Sequence, residues 1–385
     1  MTTIESVTPF VLRLPRAGAG SKTAAEPRYR RSRTRSVYPS MDETLLVRVV
    51  ADGIEAWGEC LSPVVPEAPA AVITHLLAPL ISGVGFVGAR PMTALLQDVM
   101  RERGHREGHH ADAVAALDMA LWDLEGKLLG VPVHRLLGGA YRDRVPVYLT
   151  DLPSGDQMAA GAVAAAEAGI TWMKLHLVED VQTTIRQFDR VLSALDESTA
   201  SSGLVRLAVD AHWRHDRSDA VRLGQELADR GAWFLEAPTA PEDREGHARV
   251  GAVGVAVAAG EAMRSRFDFT DWATAGALTV AQPDVGRCGI SELDTIARTM
   301  ETLHLGFAPH HSMATGLAFA AALHLCAAHP NLIAMEYSPA VARRSGTFLN
   351  TPFLAGQPEG GLMQIPQGPG LGVDVDASVV QEFST

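Results

Sequence analysis

Between Val145 and Glu336 the chain repeats one unit, a short apolar run followed by a helical stretch, about every 25 residues. The runs are VPVYLT (145–150), TWMKLH (171–176), VRLAVD (205–210), AWFLE (232–236), VAVAAGE (255–261), LTVAQPD (278–284), LGFAPH (305–310) and LIAME (332–336). Helical patterns separate them, among them 157–168, 181–195, 218–230, 290–302 and 315–328. Strands that are apolar on both faces and joined by crossover helices form parallel sheets. Eight of them close most naturally as a TIM-type barrel.

Six successive runs finish on an ionisable residue: Asp210, Glu236, Glu261, Asp284, His310 and Glu336. Parallel barrel strands all end at the same mouth, so side chains far apart in sequence converge there. A single acid at a strand end also fits a helix cap; six in register point to a site. Three carboxylates crowded together, Asp210, Glu236 and Glu261, either take up protons or bind a cation. Oxygen donors select a hard divalent ion, Mg²⁺ first and Mn²⁺ next, whereas participation of His212 would favour a softer metal. Lys174 and His176 are two residues apart on an extended run and share a face, as do Asp210 and His212. His310 can share a proton with Asp284 one strand away, which fixes its tautomer. A cation flanked by candidate bases suits removal of the α-proton of a carboxylate substrate, because the cation stabilises the ene-diolate that forms.

The remaining sequence frames this barrel. Residues 1–129 read as an α+β unit, with alternation in Ile4–Leu14, strands at 44–50 and 54–59 joined by Asp52-Gly53, and helical patterns at 66–81, 91–103 and 111–129. The Gly-, Arg- and Ser-rich stretch at about 17–41 reads as a mobile loop. The barrel domain occupies 130–340. The Gly- and Pro-rich segment 341–385 is too apolar for a disordered tail, and is expected to pack back on the N-terminal unit as irregular strands. Thirty-three Lys and Arg against 45 Asp and Glu leave a net charge of −12, a poor match for nucleic acid or an anionic membrane surface. Three distant cysteines, Cys60, Cys288 and Cys326, suit neither a disulfide framework nor a thiolate zinc site and suggest a reducing cytoplasm. Neither a signal pattern nor a spanning apolar stretch is evident, so a soluble protein is expected.

At these residues the chain resembles the enolase superfamily, mandelate racemase subgroup, over nearly its whole length. ETLLVRVVADGIEAWGEC resembles the N-terminal hairpin, and ADAVAALDMALWDLEGKLLGVPVHRLLGG the segment leading into the barrel. LEAP, AAGEAM, AQPDVGRCGISE, APHHS and AALHLCAA follow in family order. The resemblance implies a modified (β/α)7β barrel beneath an α+β capping domain completed by the C-terminal segment. It implies Mg²⁺ on Asp210, Glu236 and Glu261, a His310–Asp284 acid/base dyad, and Glu336 hydrogen-bonded to the substrate carboxylate. It also implies a homo-oligomer, from dimer to octamer.

Two positions depart from the racemase pattern. The second strand carries Lys174-Leu175-His176 in place of Lys-x-Lys, and the third Asp210-Ala211-His212 in place of Asp-x-Asn. Histidine two residues after the metal aspartate is similar to the galactonate and mannonate dehydratases of the superfamily. The expectation is therefore a dehydratase of aldonic or aldaric acids giving a 2-keto-3-deoxy acid. His212 is the base, His310 the acid for the departing β-hydroxyl, and Lys174 steadies the carboxylate; His176 is the alternative base. The nearest enzymatic rival is a racemase, epimerase or cycloisomerase acting through the same ene-diolate; the other is a metal-dependent binding protein without turnover.

Other residues are read more plainly. Arg28, Arg30, Arg31, Arg33 and Arg35, with Lys22, form a basic loop, read as solvated in preference to one that reaches a substrate's distal end. Trp213 and Arg214 stand where a substrate-facing loop begins, although helix-start packing fits them equally. His311 reads as a neighbour of the important histidine, His105, His109 and His110 as a surface loop, Asp118 and Asp123 as structural, and His324 and His329 as packing or surface groups. No dinucleotide loop is present in the required strand-to-helix context.

Overall fold

The computed structural model describes residues 2–15, 27–31, 36–198, 205–351 and 358–385. The chain opens with β1 (Ile4–Leu14), passes through an antiparallel ribbon of β2 (Tyr29–Arg31) and β3 (Val37–Pro39), and returns in β4 (Asp42–Ala51) and β5 (Ile54–Cys60). Strands β1, β4 and β5 form one antiparallel sheet in that order. The β4–β5 turn places both Asp52 and Gly53 at positive φ, as a tight hairpin needs.

The sheet packs on the helix Gly108–Leu129, most of which is buried because the helices Ala89–Asp98 and Val285–Thr302 cover its other sides. Gly58 permits the close approach: a Cβ there would meet the Ala116 carbonyl oxygen at 2.0 Å. The helix stops at Gly130 in the left-handed conformation, as the sequence predicts.

Eight short parallel strands follow: β6 (Arg144–Leu149), β7 (Trp172–His176), β8 (Arg206–Asp210), β9 (Leu235–Glu236), β10 (Val257–Ala259), β11 (Val280–Ala281), β12 (Gly306–Phe307) and β13 (Met335–Tyr337). Each pairs with the next, β13 pairs with β6, and a parallel bridge from Phe307 to Leu332 closes the ring. The seven connections carry helices, the arrangement (β/α)7β. A separate apolar cluster fills the barrel axis: Tyr148, Ala208, Phe234, Ala258, Val280, Ala308 and Ala334. With the two-residue period of a strand, the next inward position on most of these strands is polar: Thr150, Asp210, Glu236, Gln282, His310 and Glu336. The plug is thus the floor of the polar mouth.

Two expectations need correction. The 17–41 stretch is not simply a mobile loop, because it contains the β2–β3 ribbon; Lys22, Arg33 and Arg35 lie outside the described residues. The C-terminal segment is less strand-like than expected. β14 (Leu362–Gln364) pairs antiparallel with barrel strand β6, whereas the chain ends in the helix Ala377–Phe383, which packs on β1. The return to the capping domain does occur at Gly370, whose neighbour Leu371 donates its N–H to Asp123 on the long helix (2.8 Å). Cys60, Cys288 and Cys326 are buried free thiols, and among the described residues no helix is long and apolar enough to cross a membrane.

Candidate active site

Lys174, on β7, is the centre of the mouth. Its Nζ lies 2.9 Å from Glu236 and 2.7 Å from Glu336, with all three side chains almost wholly buried. Burial works against the ammonium charge, but Glu236 and Glu336 more than offset it and hold the Lys174 pKa well above its ordinary value. Burial is the strongest influence on Glu236 too, and again it works against the charged form, here by raising the pKa. Although Lys174 resists, burial together with Asp210, Glu336 and Glu261 pushes its carboxyl above the usual range. One ammonium does not neutralise the cluster.

On one side stand His176 and His212. His176 Nδ1 is 3.1 Å from Asp210 Oδ2, and this contact raises the imidazole pKa against burial. The backbone N–H of His212 donates to Asp210 Oδ1 (2.8 Å), and the two imidazole centroids are 5.3 Å apart. His212 and Trp213 are consecutive residues at positive φ, 45° and 57°. Non-glycine residues rarely adopt that region, and two in succession outside a hairpin are held there by the surrounding structure. Trp213 lines a small cavity together with Glu236 and Glu261, which favours the substrate-facing reading over helix-start packing. Arg214 is exposed and forms no ion pair among the described residues.

On the other side His310 bridges two acids: Nδ1 is 2.6 Å from Asp284 Oδ2, and Nε2 is 2.8 Å from Glu261 Oε2. Asp284 is fully buried and also accepts from the Gly286 N–H (2.7 Å), capping the helix Val285–Thr302. Burial alone would depress the His310 pKa; the charge of Glu261 and the bonds to both acids raise it well above the usual imidazole value. All the sequence-predicted groups except Arg214 are therefore tied by contact or charge to one cluster.

The three carboxylates offer a divalent cation the hard oxygen donors it prefers, although here Glu236 is held on Lys174 and Glu261 on His310. Asp210, Glu236 and Glu261 feel one another's charge, supply hard oxygen donors, and leave Glu236 frustrated at neutral pH. His176, Asp210 and His212 also present donor atoms within 4.8 Å of one another, so imidazole nitrogen lies at the edge of the oxygen set.

Sequence reasoning missed two contributors, Gln282 and Glu59, and read a third, His311, as a neighbour of the important histidine, which it is. Gln282 is fully buried and donates to Glu236 Oε2 (2.6 Å); it is the inward residue of its strand, two before the more conspicuous Asp284. His311 is buried, and its N–H donates to Glu336 Oε2 (3.1 Å), while burial pushes its imidazole pKa down to about 3. Glu59, near the end of β5, accepts from the Thr44 hydroxyl (2.8 Å) and from the N–H groups of Thr315 (2.8 Å), which caps the barrel helix Gly316–Ala328, and of Ala318 (3.2 Å) in its first turn. The capping domain is thereby fastened to the barrel. The basic loop gives a further correction: Arg28 neither floats in solvent nor reaches for a substrate. It pairs with Glu43 and Glu67, both at 2.8 Å.

The chain resembles known proteins in sequence and in fold. Residues 28–138 match the family described as mandelate racemase / muconate lactonizing enzyme, N-terminal domain, and residues 157–379 match enolase C-terminal domain-like. The chain belongs to the enolase superfamily, in its mandelate racemase subgroup. It is 34% identical over 350 residues to a D-galactonate dehydratase of Ralstonia nicotianae, covering 86% of this chain and 88% of that one. It is 32% identical over 348 residues to a D-galactarolactone cycloisomerase of Agrobacterium fabrum, again covering 86% and 88%. A crystal structure of an enolase superfamily member from Agrobacterium tumefaciens superimposes with a TM-score of 0.88 at 28% identity, covering 99% of both chains. The capping-domain and barrel expectations of the sequence agree with this fold.

Proposed function

We propose that this superfamily member is a hydro-lyase that converts an aldonic or aldaric acid to a 2-keto-3-deoxy acid with a divalent cation, Mg²⁺ before Mn²⁺. The reading rests on one observation, two separate imidazole groups flanking one carboxylate cluster. His212, with His176 beside it, occupies one flank, and His310 on Asp284 the other. The galactonate dehydratase relatives support it.

A cation held by Asp210, Glu236 and Glu261 would stabilise the negative charge that develops on the substrate carboxylate. The chain's own groups do the rest. Glu336, in its protonated form, would donate a hydrogen bond to that carboxylate, while Lys174 supplies a fixed positive charge that strengthens in a water-excluded site. His212 takes the α-proton. His310, which Glu261 and Asp284 together favour in its protonated form, gives a proton to the departing β-hydroxyl. General acid and base groups of this kind contribute about 10²–10⁴-fold each. Trp213 and the exposed Arg214 would face the remainder of the sugar.

A second reading, cycloisomerisation of a sugar-acid lactone, is favoured by the cycloisomerase relative, since it begins with the same proton removal. A screen of acid sugars with Mg²⁺, detecting keto acid with semicarbazide, tests the proposal. Dehydration gives a semicarbazone from at least one aldonate or aldarate. Lactone consumption without keto acid, or loss of optical rotation alone, would refute it. The protein is expected to be a cytoplasmic homo-oligomer, which sedimentation will check.

A further inference from the structure

A cavity of about 700 Å³ lies outside the mouth, between the capping helices Ala89–Asp98 and Gly108–Leu129 and the barrel residues that follow β10 and Asp284. None of the groups assigned above to the cation or the proton transfers lines it. Its size is typical of small-molecule sites, and its lining has a distinctive composition. Leu95 and Phe267 give apolar wall, and both are half-exposed with no apolar cover. Arg106 lies over the Phe267 ring, 6.0 Å from its centroid.

The charges are uneven. Arg264 is committed to Asp112 at 2.9 Å, whereas Arg106 and Arg287 form no ion pair among the described residues. Buried polar atoms also lack partners. The Nε of Arg287 is buried without a hydrogen bond, whereas His110 beside it bonds the Leu96 backbone and presents only a bare Nε2. Buried donors are rarely left unmade, because each costs desolvation energy, so such atoms beside a cavity indicate an absent partner. In a chain of net charge −12, two unpaired guanidinium groups against an aromatic wall select an anion.

We infer that this cavity is a second binding site, for a small organic oxyanion, carboxylate or phosphate, carrying an apolar or aromatic body. The oxyanion meets Arg287 and Arg106, and the body lies along Leu95 and Phe267. Guanidinium groups suit planar or tetrahedral oxyanions because their donors form a fixed fork.

The test is calorimetric titration of the Mg²⁺-loaded protein with phenyl phosphate, benzoate and inorganic phosphate. Phenyl phosphate or benzoate should bind saturably, and the tighter of the two identifies the head group. Arg287→Met and the exposed Arg106→Ala should each weaken binding about tenfold or more, the usual effect of losing a charge-assisted hydrogen bond. His212→Asn, at the barrel mouth, should leave it unchanged. The inference fails if neither organic anion binds, if inorganic phosphate binds as tightly as phenyl phosphate, or if His212→Asn abolishes binding that Arg106→Ala retains. It also fails if Phe267→Glu splits an oligomer in sedimentation, since the cavity would then be filled by a second copy of the chain.

Discussion

Replacing Asp284 with asparagine separates shape from charge at the proposed acid. Asp284 makes two contacts, to His310 Nδ1 at 2.6 Å and to the Gly286 N–H at 2.7 Å. The amide oxygen of asparagine can keep the second, since asparagine caps helices as well as aspartate does. The amide nitrogen then faces Nδ1 and donates to it, which reverses the polarity of the first contact. The imidazole proton is displaced to Nε2, and the ring no longer gains from a buried carboxylate that favours its cationic form. A group worth about 10²–10⁴-fold is therefore removed from its working state, and kcat should fall at least about 100-fold with little loss of fold. The pH dependence gives the sign. His310 acts as an acid only while protonated, below its raised pKa, so the variant's alkaline limb should move to lower pH. Stability follows the same linkage. In the metal-free protein the raised pKa adds stability below the ordinary imidazole value of 6.5 that is lost as pH climbs through the folded value, and the variant should show less of this dependence. The assay is semicarbazide-detected keto acid formation across pH, with thermal melts alongside. A variant within threefold of the parent and with an unmoved alkaline limb would refute the acid role of His310.

Other outcomes are equally open to measurement. His212→Asn should abolish exchange of the substrate α-proton with solvent deuterium while His176→Lys retains part of it; the opposite ranking would transfer the base role to His176. Lys174→Met leaves Glu236 and Glu336 buried without their cation and should destabilise the metal-free protein by about 3–5 kcal/mol, read from urea midpoints; a neutral result would show that the pair is not held as charges. Since Glu236 takes up a proton more readily in the folded state than in the unfolded chain, its contribution weakens the metal-free fold as pH rises above 4.5. Mg²⁺ should displace that proton, so the apparent binding enthalpy near neutral pH should vary with the ionisation enthalpy of the buffer; constancy across buffers would argue against the cluster as the metal site. Glu59→Ala strands the buried N–H groups of Thr315 and Ala318 and should cost about 2–4 kcal/mol, visible as a lower melting temperature.

Much of this architecture was legible because barrel chemistry repeats along the chain. Asp210 and Glu236 end their strands, and Glu336 lies within one, so a strand-length run ending in an acid was enough to find them. Gln282 was not found, because an uncharged amide before a proline and an aspartate gives no such signal; counting inward positions from Val280 would have shown it. The positive φ of His212 and Trp213 left no sequence trace, as neither position is glycine or asparagine. Arg28 was misread because its partners, Glu43 and Glu67, are brought to it by tertiary folding. The terminal helix Ala377–Phe383 was hidden by the Gly- and Pro-rich stretch before it.

The plug of Tyr148, Phe234 and four alanines makes the polar mouth a blind well. Reactant, ion, expelled water and product all share one doorway, the side covered by the capping domain. Traffic is consequently sequential: one product must depart before the next molecule enters. The bonds that fasten the cap to the barrel through Glu59 therefore border the only way in and out.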